Sequence, residues 1–196
     1  MSASIQAFDP LAVPIAGTNL IEASAGTGKT YGIAALFTRL IVLEQKNVER
    51  VLVVTFTKAA TAELKTRLRA RLDDVLQVLE SKEIAKLGDD TLSEGIAAYC
   101  AEHHKGDTFL PALLEQALQK ESRTRLIVRL KAAIGQFDNA AIYTIHGFCQ
   151  RILRDYAFLC QAPFDVELTE EDGDRLLVPA QDFWRERVSN DPVLAE

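Results

Sequence analysis

The chain has 196 residues, 48% of them hydrophobic and 26% charged, with a formal net charge of -6, enough for one globular core and the start of a second. The acidic balance excludes a basic footprint over the whole surface, so nucleic-acid binding requires a local groove with a few placed cations. Cys100, Cys149 and Cys160 fit no disulfide framework and no zinc spacing, and His103 and His104 lack a second ligand pair and read as a solvated helix end.

The first residues lack the basic and apolar regions of a secretion signal. The longest apolar stretch, Tyr31 to Leu43, contains Thr38 and Arg39 and falls short of the ~20 residues a bilayer span needs. A cytoplasmic chain without a membrane segment is expected.

Residues 1–18 are broken by Pro10, Pro14 and Gly17. Asn19 to Ala23 (NLIEA) reads as a short buried strand, followed by a loop. Thr30 to Leu43 reads as a helix, with Ile33, Leu36, Phe37, Leu40 and Ile41 at helical spacing. Arg50 to Phe56 (RVLVVTF) is a β-branched run of the kind that a parallel sheet covers on both faces. Strand, loop, helix and strand in this order form a βαβ unit. A long helix over Lys58 to Leu79 follows, with Leu64, Leu68, Leu72, Val75, Leu76 and Leu79 as its apolar side. Its cations Lys58, Lys65, Arg67, Arg69 and Arg71 read as a solvated face.

A polar linker over 81–91 leads to helical patterns near 92–103, 109–119 and 121–135, so residues from about 81 to 136 read as a helical insertion. Ala140 to Thr144 returns as a strand and Gly147 to Leu159 as a helix. FDVEL, after Pro163, reads as a short extended piece, and Glu170 to Val188 as a helix carrying Phe183 and Trp184. The expected fold class is α/β, a parallel sheet with helices on both faces. Residues 1–160 would form this domain, and 161–196 the start of a helical subdomain.

Ala23-Ser24-Ala25-Gly26-Thr27-Gly28-Lys29-Thr30 fits a phosphate loop, with alanine where the commonest form has its first glycine. Gly26 and Gly28 permit backbone conformations closed to residues with a Cβ, so that N–H groups converge on an anion. The following helix points its positive N-terminus at the same place. Lys29 supplies a compact cation for the β- and γ-phosphates of ATP, and Thr30 a hydroxyl for Mg²⁺.

Many enzymes share this loop, and two further segments choose among them. Thr55-Phe-Thr-Lys-Ala-Ala-Thr-Ala-Glu-Leu64 follows the second strand, and Thr144-Ile-His-Gly-Phe-Cys-Gln-Arg-Ile-Leu153 follows a later one. With LIEASAGTGKT before them, these segments resemble the RecB-type subunits of exodeoxyribonuclease V, within the UvrD/Rep-like superfamily 1 DNA helicases. The resemblance covers most of residues 8–188. It implies a RecA-like P-loop NTPase domain that uses ATP and Mg²⁺. It also implies that Thr55, Phe56, Thr57, Lys58, Thr144 and His146 contact single-stranded DNA. The residue types agree: threonine hydroxyls bond phosphate oxygens without reading sequence, and an aromatic ring stacks on any base. Phe56 reads equally as core, Thr57 as a helix cap and His146 as a structural hydrogen-bonder.

For the full-length protein the resemblance implies a 3′-to-5′ helicase subunit of a RecBCD-type nuclease. It would process double-stranded DNA ends in break repair and recombination, with RecC- and RecD-like partners. No apolar strand here ends in an Asp-Glu pair that holds Mg²⁺ and activates water, and no later arginine motif or nuclease segment is present. A fragment that binds nucleotide and turns over little is therefore expected. The glutamine that reads adenine in this family is not evident: Gln6 lies far upstream, and Phe8-Asp9-Pro10 stands nearer its place. The rival readings are a self-contained P-loop NTPase or kinase, and a non-enzymatic adaptor with a relic loop.

Overall fold

The computed structural model describes residues 7–24, 28–160 and 173–188. These fall into two compact units divided between Phe148 and Cys149. The first is mixed α/β, mostly helical, around one small parallel sheet. Its strands are β1 (Val53–Thr55) and β2 (Ile142–Thr144), paired in the register Val53↔Ile142, Val54↔Tyr143 and Thr55↔Thr144. Its helices are α1 (Lys29–Val42), α2 (Lys58–Glu80), α3 (Lys82–Ala85), α4 (Asp89–His103), α5 (Phe109–Lys120) and α6 (Arg123–Gly135). Helix α7 (Ile145–Asp155) begins in the first unit and ends in the second. Described in the second unit are α8 (Ala157–Cys160), α9 (Gly173–Phe183) and a π-helical turn over Trp184–Val188. Among the described residues no helix is long and apolar enough to cross a membrane.

Helix α2 is the axis of the core. Leu64, Leu68, Leu72, Val75, Val78 and Leu79 recur every three or four residues along it and are buried. Against them pack α1 through Phe37 and Ile41 and α6 through Leu126 and Leu130, while Leu110, Leu113 and Leu114 of α5 join the same core against α1, α4 and α6. The Phe37 and Phe137 rings meet edge to face at 6.2 Å. The helices over 81–136 thus share one core with α1 and α2.

Three sequence expectations change. Asn19 to Ala23 forms no strand, and Leu20 is 84% exposed. An extended segment becomes a strand only beside a neighbour that completes its hydrogen-bond ladder, and this one has no such neighbour among the described residues. The βαβ unit is therefore β1, the helices α2 to α6, and β2. RVLVVTF contributes only Val53–Thr55 to the sheet, and Leu52 and Val54 are 46% and 40% exposed, so the run is not covered on both faces. The linker over 81–91 contains α3, capped by Ser81 Oγ, which accepts from Ile84 N at 3.3 Å. FDVEL lies outside the described residues, as do the ends of the helix expected over 170–188.

Helix α1 departs from its expected single apolar stripe. Ala34, Ala35, Phe37, Thr38, Ile41 and Val42 face the core, whereas Ile33 is exposed and Leu36 and Leu40 are half-buried. Leu36 and Leu40 line an open groove with Val13, Ile15 and Ile21. Arg39 holds the upstream segment here, donating from Nη1 to Pro10 O at 3.0 Å and Val13 O at 2.8 Å.

Two partly buried ion pairs hold the helices together. Arg129 of α6 donates to the carbonyls of Ile41 and Val42 at the end of α1, where a cation complements the helix dipole, and to Glu121. Asp107 caps α5: its Oδ1 accepts from Phe109 N and Leu110 N at 3.0 and 3.1 Å, and its Oδ2 pairs with Arg71 at 2.5 Å. Burial raises the Asp107 pKa, but the Arg71 hydrogen bond and charge, with the two backbone N–H groups, outweigh it, and the net direction is down.

Arg129→Met should lower unfolding free energy by about 3 kcal/mol, because it strands a Glu121 side chain only 9% exposed. Lys131→Met, which loses an exposed pair with Glu80, should cost less than about 1 kcal/mol in the same urea titration. The depressed Asp107 pKa stabilises the fold fully above the ordinary carboxylate value near ~3.9, and that contribution is lost as pH falls through the folded value. Asp107→Asn, which keeps a cap acceptor, should remove part of the acid destabilisation seen below about pH 4. An unchanged acid limb would refute this role.

Candidate nucleotide and nucleic-acid site

The described residues of the expected phosphate loop, Ala23, Ser24 and Gly28 to Thr30, come together at the start of α1. Gly28 is the N-cap, with φ 86°, a left-handed conformation that favours glycine. The N-cap glycine has no side chain to accept from the first N–H groups of the helix. Lys29 bends back over the loop, and its Nζ donates to Ser24 O at 2.6 Å and Ala23 O at 3.1 Å. Ala23 and Thr30 are half-buried, and Ser24 is exposed. Ala25, Gly26 and Thr27 lie outside the described residues. One turn along α1, the Phe8 ring packs on Gly32, where a Cβ would come within 3.1 Å of Phe8 Cε1.

The other two motifs meet at the sheet. Thr55 and Thr144 are register partners at the C-terminal ends of adjacent parallel strands, and each strand runs at once into a helix. Ligands of open α/β sheets bind at this edge. Thr57 is the N-cap of α2, its Oγ1 accepting from Ala60 N at 3.1 Å. Thr144 Oγ1 accepts from Gly147 N at 3.0 Å and caps α7 in the same way. Gly147 permits that approach, since a Cβ would lie 3.1 Å from this hydroxyl. Each capping hydroxyl accepts one bond and keeps its own proton to donate.

Thr55 plays a different part. Its Oγ1 lies 2.6 Å from Thr61 Oγ1 and 3.2 Å from Thr57 O, so it braces the turn into α2 from within. Phe56 is 85% exposed, which rules out the core reading. Lys58 and His146 are exposed at the starts of their helices. The edge therefore presents one bare ring, one lysine, one imidazole and two helix N-termini, each capped by a threonine hydroxyl. Sequence reasoning missed Thr61, whose Oγ1 also donates to Thr57 O at 2.9 Å. Its spacing, four residues after Thr57 on a helix, was the available signal.

Because Phe56 buries little, Phe56→Ala should change unfolding free energy by less than about 0.5 kcal/mol. Loss of the cap in Thr57→Ala should cost about 1 kcal/mol. Equal losses in denaturant titrations would mean that Phe56 is packed in solution.

A family model described as the UvrD/REP helicase N-terminal domain matches residues 6–192. The RecBCD enzyme subunit RecB of Haemophilus influenzae is 42% identical over 186 residues, 91% of this chain. The protein of that name from Escherichia coli is 37% identical over 193 residues, 94% of this chain, and that from Mycolicibacterium smegmatis 32% identical over 167 residues, 85% of it. The chain spans 14% of the length of the first two relatives and 13% of the third. With the phosphate-loop helix and the paired Thr55 and Thr144 motifs in place, the chain belongs to the UvrD/REP helicase N-terminal domain family.

Proposed function

We propose that this chain is the ATP-binding part of an ATP-dependent 3′-to-5′ DNA helicase subunit in a RecBCD-type exodeoxyribonuclease V. The observation that carries the reading is the register Thr55↔Thr144, which puts the TFTK and TIHG segments side by side on a sheet edge in the same unit as the phosphate-loop helix. The whole protein would act in the cytoplasm on double-stranded DNA ends, with RecC- and RecD-like partner subunits. The likeness to RecB subunits supports these partners.

The residues fit ATP and Mg²⁺. A left-handed Gly28, the uncapped start of α1 and the adjacent Lys29 make an anion cradle. Lys29 exchanges two loop carbonyls for the β- and γ-phosphates, and Thr30 offers its hydroxyl to the metal. Ala23, Ser24, Ala25, Gly26, Thr27 and Gly28 line the loop. ATP, when bound, supplies the phosphoryl bond whose cleavage drives movement along DNA. At the sheet edge Thr57, Thr144 and the first N–H groups of α2 and α7 hold phosphate oxygens. Phe56 stacks on a base, and Lys58 and His146 add donors.

Residues 1–160 form the N-terminal part of a RecA-like domain, and 161–196 begin an inserted helical subdomain. The exposed Val54 on β1, the exposed Leu52 just before it and the groove beside Leu36 and Leu40 support further sheet strands in a longer protein.

Calorimetric titration with Mg²⁺·ATP should show binding that Lys29→Ala removes. Phe56→Ala should weaken single-stranded DNA binding by about 1–3 kcal/mol and leave nucleotide affinity unchanged. Unaltered ATP binding by Lys29→Ala would sink the nucleotide reading. Vigorous turnover by this chain alone would favour a self-contained NTPase.

A further inference from the structure

The phosphate-loop helix, the helix descending from the TFTK segment and the helical insertion meet on one side chain. Arg71 lies on α2, about 21 Å along the helix axis from the Thr57 cap at 1.5 Å per residue. Its side chain is only 15% exposed, against the expectation of a solvated face. Its guanidinium carbon stands 5.9 Å from the centroid of Tyr31 and 5.7 Å from that of Phe109. Nη1 pairs with Asp107 at 2.5 Å and with Asp74 at 3.6 Å. Nε and Nη2 are buried and have no hydrogen-bond partner among the described residues, so two rings and two carboxylates are the partners this charge is seen to have.

Tyr31 directly follows Thr30 in the first turn of α1, and Asp107 and Phe109 belong to the N-terminus of α5. The Tyr31 phenol is raised above its ordinary range, by partial burial first and the Asp107 charge second, with Arg71 opposing. Arg71 thus touches both the Tyr31 ring and the Asp107 carboxylate.

Resting on the nucleotide-binding reading above, we propose that Arg71 is a positioning residue that seats the first turn of the phosphate-loop helix against the helical insertion through Tyr31 and Asp107, so that nucleotide affinity depends on this contact. A flat guanidinium covers two rings and engages a carboxylate at once, which a lysine ammonium cannot do. Such a contact at a partly buried site contributes on the scale of a cation–π interaction. Because α1 and α5 both bear on Arg71, any shift of the insertion moves the turn that carries Thr30.

Two measurements on the chain test this. In hydrogen exchange without nucleotide, Tyr31→Ala and Arg71→Lys should speed the amides in the first turn of α1. Tyr31→Phe, which keeps the ring, should not, and α6 amides should be unaffected in all three. In calorimetry, Tyr31→Ala and Arg71→Lys should each weaken Mg²⁺·ATP binding roughly fivefold. Tyr31→Phe should restore affinity, and the double variant should be no weaker than either single one. Unchanged exchange and affinity with only a lower unfolding midpoint would overturn the proposal and leave Arg71 a structural residue. Additive effects in the double variant would also overturn it. Lys29→Ala separates the two readings: if it binds ATP like the parent while exchange responds to Arg71→Lys, the nucleotide assignment fails and not the contact.

Discussion

The pairing of β1 with β2 is the constraint on which the candidate site depends. Parallel strands end on the same side of a sheet, so the register Thr55↔Thr144 brings together two segments far apart in sequence. Three residue pairs cannot hold themselves in water. The pair persists because Ile142 enters the core beside α2 and because the helices α2 to α6 return the chain to β1. A shift of one residue would send Thr144 to the opposite face from Thr55 and break the shared edge.

Arginines make the long-range connections of this helical unit. Arg39 ties the residues around Pro10 to α1, Arg71 ties α2 to α1 and α5, and Arg129 ties α6 to the end of α1. Each uses a planar fork to reach acceptors on separate elements, and each is largely buried or half-buried. Buried apolar residues of α1, α2, α5 and α6 form one core cluster. The arginines fix how these helices are rotated and offset, which non-directional packing leaves loose.

Helix α1 is apolar on two sides. One side is filled by α2, α5 and α6, while the other carries Ile33, Leu36 and Leu40 beside an open groove. Asn19 to Ala23 has the composition of a buried strand but is no strand, because no ladder partner lies beside it among the described residues.

The sequence alone determined the helices, since the leucine spacing of α2 and the helical patterns of α4 to α6 reproduce in the structure to within a few residues. The expectation of a phosphate loop also comes from the sequence alone, because glycine, lysine and threonine at that spacing carry their chemistry locally. Thr57 as a cap is legible for the same reason: capping is decided within one turn. Only tertiary structure decided that Phe56 is bare, that Thr55 and Thr144 are neighbours, and that Arg71 is enclosed by Tyr31, Phe109 and Asp107. These outcomes depend on partners distant in the chain, and local spacing carries no information about which distant surface a side chain will meet.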